Sequence, residues 1–392
     1  MDYIQSIELL LISMPFEAGR QELEDSDVES IDTFNASSRN FTHMESLMVK
    51  VSTKNGLTGW GEAFGHKSNP ATWAALQEIV GPFFIGRETG IANSIPAAEY
   101  AFHAFGRTGP VHYALSAMDI ALWDLEAQQA GATLREYIEP GARDQIRAYA
   151  SLVHYAEDPD EVSSHVKQAQ SLGFTAFKLH ESSREAIAAA RQSIGSSALM
   201  VDVNCAWDQD GAAQAIAQFE ALDLLWVEEP VFPPDSTTAL RELNARFANI
   251  SAGENHSGVA GLISAMESSA LSFAQPSVGK IGGISGMLEI RQAGKRLGVP
   301  VVPHNFYYGP ALLASAQILA LDPPQVLTNG TPLPELEIPF VRWAHTLHPL
   351  HAPHQSAMNG DGAIQLPHAP GLGFEPDAQV LEKYLVKRVL LN

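Results

Sequence analysis

Asp202, Glu228 and Glu254 follow one another at intervals of 26 residues, each at the end of a short apolar run: LMVDVN, LLWVEEP and ISAGEN. If the runs are parallel strands separated by helices, the three carboxylates come from neighbouring strands and converge. Converging carboxylates repel one another unless a cation joins them. An all-oxygen donor set suits a hard divalent ion, Mg²⁺ above all. Glu228 and Glu229 are adjacent and leave opposite faces of a strand, so only one of the two is expected to be a ligand. Upstream, GFTAFKLH (173–180) sets Lys178 and His180 two apart, on one face of a strand. Downstream, VPVVPHN (299–305) ends in His304 and Asn305. Counted round a closed ring of strands, His304 stands across from Lys178 and His180. That arrangement suggests two proton-handling groups on opposite sides of a metal-bound substrate. Asn204, in phase with Asp202, is a candidate to contact metal or substrate, or a turn residue.

These residues need a scaffold that gathers strand ends. From Pro140-Gly141 onward, short β-rich runs alternate with helical segments, starting near residues 146, 176, 199, 224, 250, 271 and 299. This is the spacing of βα units in a parallel barrel. An open Rossmann-type sheet is the competing arrangement, but GKIGGISG (279–286) lacks its glycine spacing and reads as a loop, with Lys280 past the strand end. The N-terminal part reads differently. Residues 3–15 form a strand, and LMVKVS (47–52) and LTGWGEA flank an Asn55-Gly56 hairpin turn. A polar stretch over 17–45 reads as a long loop, and 111–132 as the clearest helix. The tail, 355–392, reads as loops and a short helix that pack back on the N-terminal domain. His345, His348, His351 and His354 have no fixed phase and read as surface or packing residues.

The charge balance, 24 basic against 45 acidic residues and a net −21, disfavours nucleic acid and anionic membranes as partners. No run is apolar enough to span a membrane, and the start MDYIQSIELL has no signal-peptide pattern. A single cysteine, Cys205, leaves no disulfide framework within the chain and fits a reducing cytoplasm.

In order, SAMDIALWDL (116–125), MVDVN, WVEEP, GEN, KIGGISG, VPHNF, LEIPF and PGLGFE make the chain resemble the enolase superfamily, in its mandelate racemase and muconate-lactonizing branch, over nearly its whole length. The resemblance implies an α/β fold, a (β/α)₇β modified TIM barrel with an α+β capping domain. Residues 1–140 would cap, 141–350 would form the barrel, and 351–392 would pack back on the cap. It implies Asp202, Glu228 and Glu254 as Mg²⁺ ligands, and abstraction of a proton next to a carboxylate through an enediolate. The loops at 17–45 and 61–70 would choose a small-molecule carboxylate substrate, and self-association as a homo-oligomer follows by analogy. The branch usually shows Lys-x-Lys where this chain has Lys178-x-His180. His180 then takes the base position and Lys178 the carboxylate-neutralising one. Ser277 stands where one branch has an Asp partner for the seventh-strand His and the other a Lys, so neither branch's full acid–base set is present. Glu337 falls where the family places an eighth-strand acid, with Glu335 as a rival. Asn204, Asn255 and Ser277 are the expected substrate-binding residues. The expected reaction is dehydration of a sugar acid, with His180 or Lys178 as base and His304 as acid. A racemase or epimerase with His180 and His304 as opposed bases is the alternative, and a non-catalytic binding protein the third reading.

Overall fold

The computed structural model describes residues 2–19, 42–327, 330, 332–348, 350 and 362–392. Most of the expected 17–45 loop, and His351 and His354, lie outside them. An antiparallel sheet is built first. Strands β1 (Ile4–Glu17), β2 (His43–Thr53) and β3 (Thr58–Ala63) pair in that order. Alternating residues of β1 and β2, among them Leu9, Leu47, Val49 and Val51, bury one face against the junction helix Pro110–Gln129. Gly59 and Gly61 make this approach possible, because a Cβ there would lie 2.3 Å from Ala121 O and 1.9 Å from Ala117 O. Trp60, between them, faces the other way, edge-on to Phe374 with ring centroids 5.5 Å apart.

The barrel follows. β4 (Gln145–Ser151), β5 (Ala176–Leu179), β6 (Ala198–Asp202), β7 (Val227–Glu228), β8 (Ile250–Ala252) and β9 (Phe273–Ala274) pair in parallel, in chain order. β10 (Leu336–Pro339) returns in parallel to β4, so the ladder turns back on its first strand and the open-sheet alternative is excluded. The expected seventh strand, 299–305, is reduced to two parallel bridges, Ala274–Val301 and Ser277–His304. The reason is local: Pro300 and Pro303 have no N–H to give a ladder. The fold is the expected (β/α)₇β barrel with an antiparallel cap.

The later segments tie the two sheets together. β11 (Arg342–Trp343) joins the end of β1, and β12 (Ala363–Gln365) pairs antiparallel with β4. After a short helix, Ala378–Lys383, the chain ends in β13 (Leu385–Leu391), an added strand of the cap sheet beside β1. The short helix expected of the tail is present, and beyond it the free edge of β1 gives LVKRVLL a partner. Among the described residues, no helix is long and apolar enough to cross a membrane.

Three buried carboxylates lock the cap to the barrel. Glu62 of β3 accepts from Gly309 N (2.9 Å) and Ala311 N (3.0 Å), at the start of the helix Pro310–Leu319. Asp119 of the junction helix accepts from Ser285 N (3.1 Å), in the first turn of the helix Gly283–Leu297. Asp124 accepts from Trp60 N and Leu372 N, both at 2.8 Å. Each answers backbone donors that a helix start or loop cannot satisfy internally. Burial pushes Glu62 and Asp119 up to about 7 and Asp124 up to about 6, against the opposing pull of those donors. Folding therefore favours their protonated forms. Their contribution to stability is complete below the ordinary carboxylate range and is lost as pH rises through about 6 to 7. Glu62→Gln should flatten the dependence of the thermal midpoint on pH between about 5 and 8 relative to the native chain; an unaltered slope would remove Glu62 from this role.

Candidate active site and metal centre

The barrel interior is filled in layers, as strand periodicity requires. Tyr149, Ala176, Met200, Trp226, Phe273 and Val302 form a buried apolar floor. Two residues further along the same strands stand Ser151, Lys178, Asp202, Glu228, Gln275 and His304, roughly 6.6 Å higher at the rise of a parallel strand. Phe177, Leu179, Leu199, Val201 and Val227 point outward into the main core under the helices. The apolar floor thus seals the polar layer from below. Asp202 and Glu228 are direct register partners.

Lys178 is fully buried at the centre of this layer. Its Nζ lies 2.7 Å from Glu337 Oε1, 3.1 Å from Glu228 Oε2 and 3.5 Å from Asp202 Oδ2. Burial alone would lower its pKa, yet Glu228, Glu337 and Asp202 hold it well above the ordinary lysine value. It is a fixed cation, and its ammonium is engaged with the chain's own carboxylates. Glu337 is equally committed. It accepts from Ser151 Oγ (2.6 Å) and Asn305 N (2.7 Å) besides Lys178. Burial would raise its carboxyl, but Lys178 and His304 outweigh it and keep the group below the ordinary range. Glu335 lies lower on the strand, where it pairs with Arg143 at 2.6 Å and accepts from Arg147 N.

The two histidines differ in their partners. His180 Nδ1 contacts the Leu152 carbonyl oxygen, which can only accept. Nδ1 therefore carries a proton, and Nε2 faces Asp202 Oδ2 at 3.5 Å. His304 Nδ1 lies against Glu254 Oε2 and 3.5 Å from Glu337 Oε2. Desolvation would lower its pKa, but the Glu254 and Glu337 charges raise it above the usual histidine value.

Glu228 is short of positive charge. Burial pushes Glu228 up to about 8, with Asp202, Glu337 and Glu254 adding to the rise and Lys178 opposing it. Among the described residues, Glu228 Oε1 has no hydrogen-bond partner. One donor atom each from Glu228, Glu254 and His304 lie within 4.8 Å of one another. Asp202 is the register neighbour of Glu228 on the adjoining strand, and its Oδ1 accepts from Asn204 N at 3.0 Å. Buried, crowded oxygen donors fit a hard divalent cation.

The residues around this layer depart from a strand-face reading. β7 ends at Glu228, and Glu229 turns into the left-handed region at φ +44°, so both glutamates are buried among the acids. Glu229 receives Asn255 Nδ2 at 3.1 and 2.9 Å on its two oxygens. Ser277 Oγ pairs with Tyr307 Oη and not with the His304 ring. Asn204 is also left-handed, at φ +45°. Two residues emerge that strand phase did not single out. Gln275 is fully buried, and its amide N and O have no partner among the described residues; counting two back from Ser277 would have found it. Lys280 Nζ lies 2.9 Å from Asn255 Oδ1 and 3.7 Å from Glu254 Oε1. It follows a tight loop, where strand periodicity no longer applies.

A barrel of this topology, with acids at the ends of three successive strands, defines an enolase-like class of protein. The family model described as "Enolase C-terminal domain-like" matches residues 161–380, and that of the mandelate racemase/muconate lactonizing enzyme N-terminal domain matches 28–138. The chain belongs to the enolase superfamily, in the mandelate racemase/muconate lactonizing enzyme family. It is similar to the D-galactarolactone cycloisomerase of Agrobacterium fabrum, 28% identical with 90% of this chain and 94% of that one covered. It is also similar to the D-galactonate dehydratase of Ralstonia pickettii, 29% identical over 86% and 90% of the two chains. The crystal structure of L-talarate dehydratase from Polaromonas sp. JS666, complexed with Mg and L-glucarate, superposes with a TM-score of 0.81 at 22% identity, covering 100% of this chain and 99% of that one.

Replacing Lys178 by Met leaves Glu228, Glu337 and Asp202 buried without their shared cation. With a chelator present at neutral pH, Lys178→Met should destabilise the protein by about 3–5 kcal/mol in denaturant unfolding. A change below about 1 kcal/mol would show that the three acids do not depend on this ammonium.

Proposed function

We propose that the protein is a Mg²⁺-dependent lyase that dehydrates a sugar acid, beginning with removal of the proton next to the carboxylate. The observation that carries this reading is two histidines at one buried carboxylate layer, His180 between the Leu152 carbonyl and Asp202, and His304 against Glu254 and Glu337. The names of the similar proteins, sugar-acid dehydratases and cycloisomerases, support it. Asp202, Glu228 and Glu254 would hold the ion, since a hard cation prefers three carboxylates to an imidazole. When bound, Mg²⁺ would stabilise the charge that develops on the substrate carboxylate.

The chain's own residues divide the proton work. His180 Nε2 takes the proton from the α-carbon, because its other nitrogen is held protonated on Leu152 O. Lys178 keeps Asp202, Glu228 and Glu337 compatible in one buried layer. His304, whose proton is favoured by the neighbouring Glu254 and Glu337, gives it to the oxygen leaving the β-carbon. The α-carbon's electron pair becomes the α–β double bond, the C–O bond breaks, and water departs. The enol then tautomerises to a 2-keto-3-deoxy acid. If the leaving oxygen belongs to a ring, the same steps open the ring with no loss of water. Similarity to a galactarolactone cycloisomerase makes that the second reading.

The test is a library of sugar acids, their lactones and anhydro forms, with Mg²⁺, scored for 2-keto-3-deoxy products and ring-opened isomers. No turnover across such a library would sink the reading. On an active substrate, His180→Asn should lower kcat by roughly 10³-fold and stop α-proton exchange with deuterated solvent. His304→Asn should stop product formation while exchange continues. Loss of exchange in both variants would return His304 to a base role.

A further inference from the structure

Lys280 is held on three sides. Its Nζ lies 3.9 Å from the centroid of the Phe64 ring, 2.9 Å from Asn255 Oδ1 and 3.7 Å from Glu254 Oε1. Phe64 belongs to the loop after β3, in the cap. Its backbone is joined to the same barrel loop, with Phe64 N donating to Gly279 O at 3.2 Å. Gly279 N in turn donates to Tyr307 Oη at 3.1 Å, whose hydroxyl pairs with Ser277. A Cβ on Gly279 would lie 2.8 Å from Phe64 N and 2.7 Å from Tyr307 Oη, so only glycine allows this seating. The aromatic face of Phe64, electron-rich, holds the ammonium.

The polarity of each link matters. An ammonium can only donate, so Lys280 selects the oxygen of the Asn255 amide. The amide nitrogen must then face the other way, where it donates to Glu254 Oε1 at 3.1 Å and to both oxygens of Glu229. Asn255 is itself exposed, and its amide is held between Lys280 on the oxygen side and Glu229 and Glu254 on the nitrogen side. Glu254 on its other side meets His304.

We propose that Phe64, Lys280 and Asn255 form a relay through which the seating of the capping loop sets the position of the Glu254 carboxylate, and so the affinity of the metal centre. Lys280 and Asn255 are positioning residues in it. The proposal rests on Glu254 being a ligand, as put forward above. It makes a prediction that simple charge does not. A lysine beside a metal site repels a cation, so its removal should tighten Mg²⁺ binding. A positioning lysine does the reverse.

The experiment is calorimetric titration of the metal-free full chain with Mg²⁺, without substrate. Glu254→Gln comes first: unchanged Mg²⁺ affinity there would remove Glu254 as a ligand and separate that failure from failure of the relay. Lys280→Met should then weaken Mg²⁺ binding about tenfold or more, the usual cost of losing an outer partner of a ligand. Lys280→Arg, which keeps the cation and its stacking on Phe64, should restore most of it. Phe64→Leu should weaken binding in the same direction by less, and Phe64→Leu/Lys280→Met should be no weaker than Lys280→Met alone. Thermal unfolding with a chelator checks that each variant folds. If Lys280→Met does not fold, Phe64→Leu decides. Tighter or unchanged Mg²⁺ binding in the folded variants overturns the relay.

Discussion

Crowding of negative charge in a dry barrel is the constraint on which the rest of this structure depends. Asp202, Glu228, Glu229, Glu254 and Glu337 lie in or beside one layer, above an apolar floor that excludes water from below. In such surroundings charges of like sign cannot stay ionised together without positive partners. Lys178 supplies one, buried among three of the acids, and Lys280 another at the rim. The remaining imbalance centres on Glu228, beside Asp202 and Glu254, which is where a divalent cation fits. The same crowding separates the two histidines. His304 meets Glu254 and Glu337, whereas His180 meets the neutral Leu152 carbonyl and Asp202.

The cap is held to this layer by the same chemistry used in reverse. Glu62 and Asp119 each place a carboxylate against backbone donors at the start of a barrel helix. Glycines let the elements approach closely enough for these bonds, as at Gly59 and Gly61 under the junction helix. Phe64 over Lys280 adds a cap contact beside Glu254.

Strand phase made much of this legible in advance. A period of two within each run, and a step of one βα unit between runs, place Lys178, Asp202, Glu228 and His304 in one layer with no knowledge of the fold. The resemblance to a known family then chose Glu228 over Glu229. Phase failed where the backbone left the strand. Glu229 turns left-handed and joins the acids that alternation had pointed away from. Lys280 lies beyond the strand end in a glycine loop. Ser277 keeps the expected phase, but its hydroxyl is taken by Tyr307, a partner 30 residues away.

What the sequence by itself determined was therefore the set of strand ends and the types of group they carry. Side-chain alternation is a local property of extended backbone, and the βα spacing is a local property of chain length. The tertiary structure decided which group meets which. That Lys178 serves three protein carboxylates, that His180 is turned by Leu152 O while His304 meets Glu254, and that a cap phenylalanine reaches Lys280 depend on contacts across 28 to more than 200 residues of chain. So does the tail, whose LVKRVLL became a strand because β1 had a free edge to offer. Hydrogen bonds and ion pairs form between whatever the fold brings within reach, and no spacing along the chain encodes that distance.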